Sequence, residues 1–332
     1  MIKDTQLASH DLPGNTRTAT DWNAYWRGTG EAGAYASGGV SHPAVRAFWE
    51  QFFKMAGDGF PRPSLLDLAT GNGAVVECAL SILGAGRLEV SCVDISESAI
   101  ANIRQRFPDV SAIVADLRDV PLESGSYNLV TSQFGLEYAG EGAVGEAARL
   151  TAVGGLLAVL MHNSSGSIHR ECEAALDAIE RLQGSGFIPL AQDLFRTAFA
   201  AMQGEEREPY EAAATRFDPA VKALEQVMTE HGEQVAGNLV ARLYSDVRTI
   251  HANATQYDPK EVSAWLRRME EELESYAGRM ASMKDSALDE AAFAAVRDTV
   301  SESGFVIGTS GPFFAPEERS PLGWALVATR ES

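Results

Sequence analysis

The chain has 332 residues, 45% of them hydrophobic, enough to bury an enzyme-sized core and leave room for a second, smaller module. Lys and Arg number 27 against 46 Asp and Glu, and the resulting formal net charge of -19 repels phosphate backbones and anionic membrane surfaces, which argues against a nucleic-acid substrate or a membrane partner. Cys78, Cys92 and Cys172 have neither the paired spacing of a zinc site nor the even number of a disulfide framework. Residues 1–10 lack an apolar signal core, and no apolar run of about 18 residues occurs, so the expectation is a cytoplasmic protein with reduced thiols and no metal.

Residues 1–40 are polar and rich in Gly and Thr, yet carry Trp22, Tyr25, Trp26 and Tyr35, more aromatic rings than a disordered tail usually holds. This arm is expected to fold against the body, either over a ligand or as a staple. Ser41 is the expected N-cap and Pro43 the first turn of a helix whose apolar positions are Val45, Phe48, Trp49, Phe52 and Phe53. From 64 to 162, short apolar runs at 65–69, 88–94, 111–115, 127–132 and 156–162 alternate with amphipathic stretches at 74–83, 98–107 and 142–150. That alternation predicts a parallel sheet with crossover helices, and Gly154-Gly155 predicts a turn into the fifth run.

Between about 165 and 285 strand-like runs vanish and long helices take over, at 171–182, 220–231 and 259–283. A last helix at 288–303 and strands at 305–309 and 322–329 then complete the pattern. The expected organisation is an N-terminal arm and helix (1–63), an α/β core (64–164), an all-α insertion acting as a cap (165–285), and completion of the core (286–332). No fixed-period repeat is present. The apolar stripe Val262, Trp265, Leu266, Met269 and Leu273 must be buried, either within the insertion or against a second copy, so a homodimer through the insertion is one expectation.

The chemistry concentrates in Leu65-Leu66-Asp67-Leu68-Ala69-Thr70-Gly71-Asn72-Gly73, a buried strand running into a glycine turn that opens a helix. Glycine there tolerates positive φ and lets backbone approach a ligand, and the helix N-terminus offers free amide donors. A carboxylate within a covered strand, Asp67, needs a hydrogen-bonding or cationic partner, and a ligand amine would serve. Asp94, in Val93-Asp94-Ile95-Ser96, ends the second strand about 20 residues on, where an acid can accept from a ribose diol; alternatively it is a helix N-cap, a role open also to Ser96 or Ser98. Asp116, in Ala115-Asp116-Leu117, lies at the same sheet edge and suits an exocyclic adenine amine.

In spacing and order these segments resemble class I, Rossmann-like, S-adenosylmethionine-dependent methyltransferases, strongly over about 64–162 and loosely over the last two strands. The resemblance implies a doubly wound α/β fold with a seven-stranded, mostly parallel sheet. It implies S-adenosylmethionine as cofactor, S-adenosylhomocysteine as product, and binding by Asp67, Ala69, Thr70, Gly71, Gly73, Asp94, Ile95, Asp116 and Leu117. Gln133 and Phe134, after the fourth strand, would lie beside the methionine part, and Tyr25 of the arm would cover the site. One departure is visible: family members often carry glycine where Ala69 stands, or cysteine where Asn72 stands.

His162 ends the fifth strand facing the same edge, and imidazole takes up a proton near neutral pH, so it is the first candidate for a base or acceptor-orienting group; a satisfied histidine or a cap is the alternative. Tyr138 and Glu137 are its rivals, and Glu137 could instead orient an imidazolium. The acidic surface and the insertion favour a small-molecule acceptor in a capped pocket, with a peptide or protein as the second possibility. A nicotinamide-dependent oxidoreductase shares the glycine turn and ribose acid, but its third glycine would fall at Val76. A non-catalytic adenosine-ligand scaffold is the remaining alternative.

Overall fold

The computed structural model describes Trp22, Asn23, Trp26 and residues 42–331. Tyr25, Tyr35 and Ser41 lie outside the described residues. In chain order the elements are α1 (Pro43–Gly59), β1 (Ser64–Leu68), α2 (Ala74–Leu83), β2 (Glu89–Asp94), α3 (Glu97–Arg106), β3 (Ser111–Val114), β4 (Tyr127–Gln133), α4 (Glu141–Leu150) and β5 (Thr151–His162). There follow α5 (Ser167–Gly184), α6 (Phe187–Met202), α7 (Glu208–His231), α8 (Leu239–Ala252), α9 (Pro259–Ser286), α10 (Glu290–Glu302), β6 (Phe305–Phe313) and β7 (Gly323–Arg330).

The strands form one seven-stranded sheet in the order β3-β2-β1-β4-β5-β7-β6. The first five run parallel, and β7 is antiparallel to both β5 and β6. Because β2 and β3 lie on one side of β1 and β4 and β5 on the other, the order reverses between β1 and β4. In open α/β sheets ligands bind at the strands' carboxyl ends beside such a switch point. Side chains of α1 and α2 pack on one sheet face with Leu65, Leu129 and Leu160, while α4 and α10 pack on the other with Leu66, Val130 and Val159. Both faces are therefore covered, which explains why the inner strands read as continuous apolar runs.

Two local expectations change. The N-cap of α1 is His42, whose Nδ1 accepts from Ala44 N at 3.2 Å, an option that an aromatic ring hides from a search for hydroxyl or carboxamide caps. The fifth strand begins at Thr151, so Gly154 and Gly155 lie inside it where the β4–β5 register shifts between Tyr127 and Leu129. A Cβ on Gly155 would stand 2.8 Å from Ala152 O and 2.9 Å from Asn128 O, so the pair marks a bulge with close backbone approach, not a turn.

Helices α5–α9 share a hydrophobic core of their own. Val262, Leu266, Met269 and Leu273 are buried in it, and Trp265 is half-buried against it. The stripe for which a second copy was one possible cover is thus covered from within the chain. The block leaves and rejoins the sheet at one place: Leu288 N donates to His162 O at 2.9 Å, and Ser164 N donates to Leu288 O at 3.0 Å. Among the described residues no helix is long and apolar enough to cross a membrane.

Candidate active site

The glycine turn closes β1 onto α2 through left-handed backbone at Ala69 (φ 53°), Gly71 (φ 53°) and Gly73 (φ 83°). Alanine in this conformation is strained. The sheet accommodates it by placing Gly135, which follows β4, against the Ala69 methyl; a Cβ at Gly135 would lie 2.3 Å from Ala69 Cβ. The departure noted in the sequence therefore has its complement one strand away.

Asp67 is almost wholly buried, and of the expected cationic or hydrogen-bonding partners it has the second kind, two hydroxyls. Thr70 Oγ1 donates to Oδ2 at 2.7 Å and Thr131 Oγ1 to Oδ1 at 2.8 Å. Burial pushes its pKa up to about 7, against the pull of the two hydroxyls and with the help of neighbouring Asp94. Asp94 Oδ2 accepts from Gly71 N at 2.8 Å and Oδ1 from Ser96 N at 2.8 Å. Its pKa is also raised by burial, with the Ser96, Gly71 and Ile95 amides pulling the other way. Asp94 does not cap α3, because Ser96 Oγ accepts from Ala99 N at 3.1 Å. It ties the glycine turn to the end of β2, and each oxygen retains accepting capacity for a diol.

The other sequence candidates fall in different settings. Asp116 is held by Arg118, whose Nε and Nη2 donate to it at 3.0 and 2.5 Å, so the carboxylate expected to meet an adenine amine already serves a guanidinium. Ile95 is half-buried beside Asp94, whereas Leu117 is a core residue packed beneath the sheet. Thr70 is buried at the turn. Gln133 Oε1 accepts from Trp49 Nε1 at 2.6 Å, which turns its carboxamide nitrogen away from α1. Phe134 is left-handed (φ 51°), and its ring lies 4.8 Å from the His162 ring. Tyr25 lies outside the described residues.

His162, Glu137 and Tyr138 come together. Glu137 sits on the single 3₁₀ turn Leu136–Ala139 after β4 and is buried. Its Oε1 accepts from the His162 backbone N at 2.8 Å and lies 2.6 Å from His162 Nδ1. With Oε1 as the acceptor, Nδ1 is the donor of this contact, and Nε2 is the ring nitrogen left for a ligand. His162 Nε2, Glu137 Oε2 and Tyr138 OH are buried without a hydrogen-bond partner. Three such atoms in one place are costly unless a ligand meets them. Tyr138, whose ring centroid is 5.8 Å from that of His162, has its pKa raised well above the usual phenol value by burial and by Glu137 and Cys172, so it stays a donor.

A family model described as a methyltransferase domain matches residues 65–155, the stretch that carries the glycine turn, Asp94 and the Glu137 turn. Over this segment the chain is similar to methyltransferase domains. The chain is 34% identical over 101 residues, 30% of its length, to a demethylmenaquinone methyltransferase of Beutenbergia cavernae. The chain spans 40% of the length of that curated relative. Among solved structures, the chain is similar to a SAM-dependent methyltransferase from Aquifex aeolicus (16% identity, 33% of this chain and 63% of that one, TM-score 0.30). It is also similar to the CurJ carbon methyltransferase (12% identity, 87% of this chain and 55% of that one, TM-score 0.43). In the methyltransferase domain the position that a dinucleotide fingerprint reserves for a third glycine is Val76, fully buried in α2.

Sequence reasoning missed Trp49 and Thr131 as site-shaping groups. Trp49 fits the apolar spacing of α1 so well that its indole donor went unread. Thr131 is the fifth residue of β4, and only strand register, which pairs it with Asp67, reveals the contact.

Proposed function

We propose that the protein transfers a methyl group from S-adenosylmethionine to a small molecule that must lose a proton as it is methylated. The observation that carries this reading is the buried Glu137–His162 pair, with Nε2 unpartnered at the carboxyl edge of the sheet, beside the methyltransferase domain's glycine turn. The cofactor fits the residues present: Asp94 has acceptor capacity for a ribose diol, at the glycine turn that the Trp26 ring overlies at Gly71. When bound, S-adenosylmethionine supplies a methyl already activated on a sulfonium. The protein's share is then alignment, exclusion of water and proton removal. His162 Nε2 takes the acceptor's proton, and Glu137 holds the ring in the right tautomer and stabilises the imidazolium that forms.

Helices α5–α9 support a small acceptor over a macromolecular one, because Phe134 and Tyr138 pack against their core. The test is transfer of labelled methyl from S-adenosylmethionine into the small-molecule and protein fractions of a cell extract. Label in the small-molecule fraction is expected; label confined to protein favours the peptide or protein reading. His162→Ala should lower turnover by about 10²–10⁴-fold with S-adenosylhomocysteine affinity nearly unchanged. Unaltered turnover per folded molecule would remove His162 from the chemistry. Wild-type protein that ignores both adenosyl ligands would remove the cofactor reading itself.

A further inference from the structure

Trp26 is buried and stacks on Trp22, with centroids 6.1 Å apart at 20°. On one side Trp26 lies directly on the glycine turn: a Cβ added to Gly71 would stand 2.6 Å from its Cζ2. On the other side Trp22 meets the edge of Tyr138 at 5.7 Å, and Tyr138 meets His162 at 5.8 Å. The pair is anchored to the ribose-acid end of the sheet. Asn23 Oδ1 accepts from Ser96 Oγ at 2.8 Å and Ser98 N at 3.3 Å, and Trp26 O accepts from Asn102 Nδ2 at 2.7 Å. A continuous row of rings, Trp26–Trp22–Tyr138–His162, thus runs from the glycine turn that would hold the cofactor to the imidazole that would meet the acceptor.

We infer that Trp26 is a wall of the cofactor site and that Trp22 is a positioning residue for His162, so that occupancy of the glycine turn is felt at the imidazole. This rests on the cofactor reading above. The physical basis is packing: aromatic faces in contact resist displacement, so moving the Trp26 ring off Gly71 shifts Trp22 and the Tyr138 edge it abuts. Glu137 and Tyr138 are consecutive on one short turn, so a shift of the Tyr138 ring also reaches the carboxylate that holds Nδ1. Neither tryptophan contributes a titratable group. Their effect on His162 is through position alone.

The experiment follows the ring resonances of His162 by NMR across a pH titration, assigned by loss in His162→Gln, with and without saturating S-adenosylhomocysteine. In wild-type protein the ligand is expected to change both the shift and the titration midpoint. Trp22→Ala should keep S-adenosylhomocysteine affinity within about threefold yet lose most of that response, and Trp22→Phe, which keeps a ring, should restore it. Trp26→Ala should weaken the ligand by tenfold or more. If Trp22→Ala, folded by circular dichroism, shows the wild-type response, His162 senses the ligand directly and the inference is overturned. If Trp26→Ala binds as wild type, the wall role is overturned. Wild-type protein that binds no S-adenosylhomocysteine overturns the cofactor reading together with this one, a result separate from the other two.

Discussion

Asp67 is a carboxyl in a place where its charge is poorly solvated, with a pKa pushed up to about 7 from an ordinary 3.8. A folded-state value above the unfolded one contributes stability that is fully present below about pH 4 and is lost as pH rises through 7. Asn at this position does not ionise. In the ligand-free protein the stability of Asp67→Asn relative to wild type should therefore rise between pH 5 and pH 8, read as the difference in denaturant midpoints. A difference independent of pH would mean that Asp67 is ionised throughout. The same ionisation favours a cationic ligand, so Asp67→Asn should bind S-adenosylmethionine less tightly at pH 8. The sequence made Asp67 conspicuous because a carboxylate inside a covered strand is anomalous. It could not name the partners, since Thr70 and Thr131 are brought to it by a tight turn and by strand register.

At the scale of elements, legibility followed the punctuation. Helix α2 matches its expected span of 74–83 because Gly73 and Gly84 bracket an uninterrupted apolar pattern. Helices α6 and α8 were not separated from the surrounding helical region. The turn before α8 is made by Ala236, Gly237 and Asn238 in left-handed conformations (φ 52°, 62° and 67°), and an alanine gives no sequence sign of such a turn. Leu266, fully buried between these helices, tests how self-sufficient the block is. Leu266→Ala should cost about 2–5 kcal/mol of stability by denaturant unfolding. S-adenosylhomocysteine affinity by calorimetry should stay near wild type, because Leu266 packs in the α5–α9 core, away from the glycine turn. A large loss of affinity would mean that the block and the cofactor cradle fold as one cooperative unit.

Across the whole molecule, the cradle is built from β1, β2 and the turn between β1 and α2, and a ligand there adds to folding by mass action. At a concentration of S-adenosylhomocysteine 100 times its Kd the gain is about 2.7 kcal/mol, visible as a raised melting temperature. Asp94→Ala removes the acceptor proposed for the ribose diol and should reduce that rise at equal ligand concentration, by about 1.5–3 kcal/mol per bond lost to the ligand. An undiminished rise would show that Asp94 does not meet the ligand. The layered sheet and the interruption before its last helix were legible, because periodicity changes sharply near residue 165. The pairing of Glu137 with His162 was legible only as an alternative, Glu137 orienting an imidazolium, because it forms between the ends of two neighbouring strands that periodicity does not bring together.

The neck of the helical block gives this architecture an evolutionary reading. The chain departs after His162 and returns at Leu288 within a single bridge between Asn163 and Leu288, so the sheet is laid the same way whatever lies between. A block with such adjacent ends can be shortened, replaced or grafted without relocating any strand, leaving the sheet and its glycine turn as they are. The rung that closes the neck is the carbonyl of His162 itself. Each exchanged block would therefore be fastened to His162, the residue proposed as the base.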